Sequence, residues 1–148
     1  MKRNHEEAIE LLKRLIATPS FSKEEEHTAT IIENWLTERG VEVSRSNNNV
    51  WAKNKCFSMD KPTVLLNSHH DTVQPNVNYT LDPFDPKIEV DKLFGLGSND
   101  AGGAVVSLLA AFKKFYLRTD LKYNLLIAIT AEEEISGKNG IASIIDKL

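Results

Sequence analysis

Three short polar segments contain the side chains that could do chemistry, and each of them follows or abuts an apolar run. The candidate residues in these segments are His69 and Asp71, then Asp100, then Glu132, Glu133 and Glu134. Imidazole and carboxylate groups are common ligands of catalytic metal ions, and a carboxylate that binds no metal can transfer a proton. Taken together, the three segments therefore indicate metal-dependent hydrolysis.

The first segment, residues 67–73, follows a short apolar run at 63–66 that we interpret as a buried central strand. Ligands of open α/β sheets bind at the carboxyl ends of the strands. A metal-bound histidine usually donates its second ring N–H to a carboxylate, and Asp71 is close enough in sequence to serve His69 in this way. Considered alone, the segment is explained equally well as a polar strand end without a function.

Asp100 lies in the glycine-rich turn 95–103, at the start of a helix that the apolar spacing predicts over residues 101–116. Glycines on both sides of Asp100 let neighbouring groups approach closely. Considered alone, Asp100 is more simply explained as a helix N-cap. A phosphate-binding loop is disfavoured, because the G-x-G-x-x-G spacing fails at Asp100 and no Gly-Lys-Ser/Thr ending follows.

The glutamate run Glu132, Glu133 and Glu134 follows an almost continuously apolar stretch, residues 123–129, which predicts a second central strand. Three adjacent carboxylates repel one another, so the run alone is typical of a solvated loop or a helix start. At the end of a central strand it is better explained if one carboxylate binds a metal and another moves a proton. His5 and His27 lack such a context and are predicted on helix surfaces.

The apolar pattern also predicts the elements that must position these segments. We expect helices over residues 4–17, 22–40 and 137–148, strands at 41–43 and 50–53, and a hairpin at 88–94. Ser22 is the expected N-cap of the second helix, and Glu24, Glu25 and Glu26 are expected in its first turn. Helices that alternate with buried strands indicate an α/β sandwich.

Composition excludes several other classes of protein. The 18 Lys and Arg residues against 21 Asp and Glu residues give a net charge of -3, which does not favour nucleic acid or an anionic membrane as a partner. A single cysteine, Cys56, excludes an internal disulfide and a zinc finger, and it is predicted to be structural or incidental. The N-terminus does not read as a signal peptide, and no window approaches the roughly 20 apolar residues of a membrane span, so we expect a cytoplasmic protein.

In their order and separations, the three segments resemble the M20 metallopeptidase family, which includes acetylornithine deacetylase and succinyl-diaminopimelate desuccinylase. The resemblance extends from the N-terminal helices to Gly137. It implies a three-layer α/β/α sandwich with a mixed, largely parallel sheet, and a cis peptide bond between Asp100 and Ala101. The resemblance implies that His69, Asp100 and Glu134 are metal ligands and that Asp100 bridges two zinc ions. It also implies that Asp71 orients His69 and that Glu133 is the general base.

The reaction implied by the resemblance is amide hydrolysis that frees an amino acid from its acyl group. A small N-acyl amino acid such as N-acetylornithine, or a peptide, is the expected substrate, which would place the protein in arginine biosynthesis. Two zinc ions are the expected cofactors, with cobalt or manganese as alternatives.

Members of the family continue beyond the point where this chain stops, and they supply further metal ligands and a lid domain used for dimerisation. We therefore expect residues 1–148 to be the N-terminal part of a catalytic domain, which holds about half of the site and is inactive alone. A homodimer is expected only for a full-length form that contains the lid. The alternative is a non-catalytic α/β module that retains the motif residues and acts in binding or assembly.

Overall fold

The computed structural model describes residues 2–148, with side chains from His5 onward. In chain order, the described helices and strands are α1 (Lys2–Ile16), α2 (Glu26–Thr37), β1 (Ser44–Ser46), β2 (Asn49–Lys53), β3 (Thr63–His69), β4 (Lys87–Glu89), β5 (Lys92–Phe94), α3 (Ala104–Phe115) and β6 (Asn124–Thr130). A π-helical turn, Ser98–Gly103, leads directly into α3. Two 3-10 turns, Ile141–Ser143 and Ile145–Lys147, follow β6.

The main sheet has the strand order β1-β2-β6-β3, and β4 pairs with β5 in a separate hairpin. The central strand β6 is antiparallel to β2 and parallel to β3. Every residue of β6 is buried, which explains why the sequence there is apolar without alternation. The parallel register places His69, the last residue of β3, opposite Thr130, the last residue of β6. The two polar segments that follow these strands therefore leave the sheet at the same edge.

The three α-helices pack against one face of the main sheet. Val105, Leu109 and Phe112 of α3 are fully buried in a core that includes Ile127 and Ile129 of β6. Burying a side chain of this size stabilises the fold by about 1.5–3 kcal/mol, so α3 fixes the turn that precedes it firmly against the sheet. No helix in the described part of the chain has the length and apolar character needed to cross a membrane.

The opposite face of the sheet carries a smaller apolar cluster that contains Trp51, Leu126, Ala128 and Ile144. Side chains alternate between the two faces along β6, because successive residues of a strand point in opposite directions. Among the described residues, the C-terminal 3-10 turns pack on this second face.

The predicted α/β class with a mixed sheet is confirmed, and α1, β2, β3, the hairpin and β6 lie where the sequence places them. The prediction that residues 63–66 form a buried central strand is wrong, because β3 is an edge strand of the described sheet and its Val64 and Leu65 are 43% and 41% exposed. The sheet is less parallel than expected, because only the pairing of β3 with β6 is parallel. The first strand occupies Ser44–Ser46 instead of residues 41–43. The short β2 folds back from it through a tight turn and pairs antiparallel with β6.

Two predictions about helices are wrong. The helix α2 begins at Glu26, and Ser22 does not cap it because the Ser22 hydroxyl donates a hydrogen bond to Asp71 instead. Residues 137–148 form no α-helix; they contain the two 3-10 turns, and the Ser143 hydroxyl donates to the carbonyl groups of Asn139 and Gly140. Such local side-chain to backbone hydrogen bonds compete with a regular helix.

Candidate metal centre

The parallel pairing of β3 with β6 brings the three polar segments together. His69 ends β3, Glu134 lies in the turn after β6, and Asp100 lies in the π-helical turn before α3. One ligand atom from each of these residues lies within 4.8 Å of the others. The structure therefore brings together the three residues that the sequence analysis predicted as metal ligands.

His69 has a fixed orientation. Its Nδ1 lies 3.1 Å from the carbonyl oxygen and 3.3 Å from Oδ1 of Asp71. Its Nε2 faces Oδ1 of Asp100 at 3.2 Å and Oε2 of Glu133 at 3.6 Å. The hydrogen bond with the Asp71 carboxylate, opposed by burial, raises the pKa of His69 to about 9. With Nδ1 engaged by Asp71, Nε2 is the nitrogen available to a metal ion.

Asp71 is a fully buried carboxylate that joins three segments of the chain. Besides contacting His69, its oxygens accept hydrogen bonds from the peptide N–H of Glu133 at 3.0 Å and of Glu134 at 3.1 Å. The Ser22 hydroxyl donates a further bond at 2.7 Å. Burial disfavours the charged form, but the hydrogen bonds from His69, Ser22 and the two peptide groups outweigh it and lower the pKa of Asp71 to about 2. Asp71 therefore positions the glutamate turn as well as His69.

Asp100 and Glu134 are two carboxylates directed at the same site. Burial, together with repulsion from the Asp100 charge, raises the pKa of Glu134. The Asp100 side chain is 77% exposed. A divalent cation between them would convert this repulsion into attraction, and one imidazole with two carboxylates is a donor set that suits zinc and related ions. The residues present therefore fit a metal ion.

The turn that holds Asp100 depends on close backbone approach. Gly97 begins the turn with φ +72°, and its carbonyl accepts a hydrogen bond from the Gly102 N–H. A Cβ at Gly102 would lie 2.6 Å from that carbonyl oxygen, so only glycine fits. The Asp100–Ala101 peptide bond is cis, as the resemblance implies. Neither the π-helical turn nor α3 has a side-chain cap, so the N-cap interpretation of Asp100 is not supported.

Other residues around the centre had no sequence signal, or a misleading one. His70 is buried beside the site and points away from it, with Nε2 2.8 Å from the Asn48 carbonyl and Nδ1 2.9 Å from the Thr28 hydroxyl. The Asn48 carbonyl can only accept, so His70 Nε2–H donates to it, and burial lowers the pKa of His70. Ser22 and Glu25 were predicted at the start of a helix. Instead, the Ser22 hydroxyl donates to Asp71, and the Glu25 carboxylate accepts the peptide N–H of Glu132. His5 and His27 are exposed, as predicted.

An α/β sheet with a histidine and carboxylates gathered at the carboxyl end of its parallel strands is an arrangement suited to metal-dependent hydrolysis. The chain belongs to the peptidase family M20/M25/M40, whose sequence model matches residues 65–148. The resemblance drawn from the motifs is thereby confirmed.

Two curated relatives are succinyl-diaminopimelate desuccinylases. The protein from Blochmanniella pennsylvanica is 32% identical over 98% of this chain and 40% of its own length. The protein from Wigglesworthia glossinidia brevipalpis is 33% identical over 95% of this chain and 38% of its own length. The chain therefore spans about two fifths of the length of these relatives.

Solved structures of the family share the fold. The M20 family metallo-carboxypeptidase Sso-CP2 from Sulfolobus solfataricus matches 99% of this chain with a TM-score of 0.77 and 25% identity, over 34% of that protein. The Bacillus subtilis YXEP protein, a dinuclear metal binding peptidase, matches 99% of this chain with a TM-score of 0.70 and 21% identity, over 40% of that protein.

Proposed function

We propose that this chain carries the metal-binding part of a site that hydrolyses the amide bond of a small N-acyl amino acid. The observation that carries this proposal is the convergence of His69, Asp100 and Glu134, whose ligand atoms lie within 4.8 Å of one another. Membership of the M20 family supports the peptidase or deacylase class.

His69, Asp100 and Glu134 would hold the metal, and zinc is the ion we propose, with cobalt or manganese as alternatives. When bound, the metal polarises the substrate carbonyl and lowers the pKa of a bound water. A catalytic zinc usually has three protein ligands, so a second ion needs donors beyond these three residues. We infer that this chain supplies only part of a dinuclear site and does not complete the reaction alone.

Glu133 is our candidate for the general base. Its Oε2 lies 3.6 Å from Nε2 of His69, and its side chain is 60% exposed, so it can reach a water molecule at the centre. Asp71 holds its peptide N–H, which limits how far the side chain can move from His69. Glu133 would take a proton from the attacking water and deliver it to the amide nitrogen that leaves.

A groove beside the centre offers space for the substrate. It has a volume of about 560 Å³ and is lined by both polar and apolar side chains, among them Asn67, His69, Glu133, Ser136 and Ile141. Ligand sites of small molecules commonly fall in the range of about 300–1,000 Å³. The relatives point to N-succinyl-diaminopimelate as one candidate substrate, and the motif resemblance points to N-acetylornithine as another.

Titration with Zn²⁺ and an amidase assay on both substrates test this proposal. We expect the chain to bind Zn²⁺, and His69→Ala to abolish binding while His27→Ala, which alters an exposed histidine, leaves it intact. We expect no turnover from the 148 residues alone. Failure of the chain to bind Zn²⁺ would rule out the metal centre, whereas turnover by the chain alone would rule out the partial site.

A further inference from the structure

The turn that carries Glu133 and Glu134 is held by two buried carboxylates. Three successive peptide N–H groups, of Glu132, Glu133 and Glu134, each donate to a carboxylate oxygen. Asp71 accepts the bonds from Glu133 and Glu134, and Oε1 of Glu25 accepts the bond from Glu132 at 3.2 Å. Asp71 contacts the candidate metal ligand His69 directly, whereas Glu25 reaches the metal centre only through the Glu132 peptide.

Glu25 is fully buried, although it lies just before a helix among exposed neighbours. Its Oε1 also accepts the Lys23 N–H at 2.7 Å, and its Oε2 accepts the Asn48 side-chain amide at 2.8 Å. Among residues 5–148, no lysine or arginine forms an ion pair with it. A buried carboxylate is unfavourable unless hydrogen bonds satisfy it, and a neutral residue of similar volume often serves stability as well. The buried Glu25 carboxylate is therefore better explained by the N–H groups whose positions it fixes than by a contribution to stability.

The residue held by Glu25 is the point where the chain leaves β6 and enters the metal-binding turn. Glu132 has φ +53°, a left-handed conformation that is unfavourable for a residue with a side chain. Its carboxylate accepts bonds from the backbone and side-chain N–H groups of Asn139, and its carbonyl accepts the Gly137 N–H at 2.8 Å. Glu25 binds the remaining polar group of Glu132, its peptide N–H. The direction in which the next two glutamates leave the strand therefore depends on this bond.

We propose that Glu25 is a positioning residue of the metal centre. Its buried carboxylate fixes the Glu132 peptide and, together with Asp71, sets where Glu133 and Glu134 stand relative to His69. This inference rests on the proposed function, because it assigns Glu25 a role in placing a metal ligand. Residues that orient metal ligands without touching the metal commonly change metal affinity by 10–100-fold when they are replaced.

The test compares Glu25→Gln with Glu24→Gln, a matched change at an exposed neighbour. Zn²⁺ affinity is measured by competition with a chromophoric chelator, and the unfolding midpoint is measured on the same samples. We expect Glu24→Gln to resemble wild type, and Glu25→Gln to bind Zn²⁺ about 10–100-fold more weakly at a temperature where it is fully folded. Equal affinities of the two variants would overturn the inference while leaving the proposed function standing. Failure of wild type to bind Zn²⁺ would overturn both.

Asn48→Ala provides a second, milder variant in case Glu25→Gln does not fold. It keeps the carboxylate but removes the Asn48 donor that holds Oε2 of Glu25, so the Glu25 side chain can move away from the Glu132 N–H. We expect Asn48→Ala to bind Zn²⁺ more weakly than Asn34→Ala, a matched change at an exposed asparagine in α2. Equal affinities of these two variants would overturn the role of Glu25.

Discussion

Asp71 Oδ1 lies 3.3 Å from Nδ1 of His69, and the same oxygen accepts the peptide N–H of Glu133 at 3.0 Å. One buried carboxylate thus orients the candidate metal-binding imidazole and the backbone of the candidate base. His69 ends β3 and Glu133 follows β6, and Asp71 couples their positions. Changes at Asp71 should therefore affect metal binding and local stability together.

We expect Asp71→Asn to weaken Zn²⁺ binding by about 10–100-fold and to destabilise the chain by about 1–3 kcal/mol. Asparagine has the same shape, but its amide nitrogen would face a peptide N–H that now donates to a carboxylate oxygen. One buried N–H would then lack an acceptor. Urea unfolding and Zn²⁺ titration measure the two effects.

Asp60→Asn is the control for this change, because Asp60 is exposed and precedes the start of β3, whose opposite end carries His69. It should alter stability by no more than about 0.5 kcal/mol and leave Zn²⁺ affinity unchanged. If Asp71→Asn behaved like the control, the coupling role of Asp71 would be wrong.

We expect Ser22→Ala to destabilise the chain by about 1.5–3 kcal/mol, because a hydroxyl bond to a charged acceptor is lost. Losing that donor also removes one of the groups that keep the pKa of Asp71 low, so this pKa should rise. Chemical denaturation and NMR titration of the carboxyl carbon measure these effects. Ser107→Ala, at an exposed helix position, is the control, and a stability change at Ser22 no larger than this control would count against the bond.

Zn²⁺ binding should depend on pH through His69. The Asp71 carboxylate raises the pKa of His69 to about 9 in the metal-free chain, so at neutral pH the ion must displace one proton from the ring. Affinity should therefore increase about tenfold per pH unit from pH 6 toward 9 and level off above it. Calorimetry in buffers of different ionisation enthalpy should show one proton released at pH 7. Zero proton release from wild type would contradict this prediction.

Glu133→Gln should separate binding from turnover. The glutamine keeps the shape of the side chain but cannot accept a proton, so kcat should fall by about 10²–10⁴-fold in an active protein that contains this chain. Zn²⁺ affinity should stay within a few-fold of wild type, because Glu133 is not one of the three proposed ligands. Glu6→Gln, at an exposed position of α1, serves as the control. Normal turnover in Glu133→Gln would exclude Glu133 as the base.

Much of the fold could be predicted from local patterns, because burial on two faces makes a central strand uniformly apolar. This rule correctly located β6, whose residues are all buried. It located β3 in the chain but gave it the wrong environment, because β3 is an exposed edge strand of the described sheet. The apolar spacing of residues 137–148 wrongly predicted a helix. The hydrogen bonds of Ser143 and Asn139 outweigh this spacing. Those bonds depend on partners that the spacing does not specify.

The sequence by itself determined which chemical groups are present, at which strand ends they lie, and to which family they belong. Only the tertiary structure decided how these groups are held. Glu24, Glu25 and Glu26 are chemically identical in the sequence, yet Glu25 alone is buried and bonds to Glu132, 107 residues away. Ser22 likewise bonds to Asp71 across 49 residues. Hydrogen bonding and burial depend on distances in space, which residue type and local spacing do not contain.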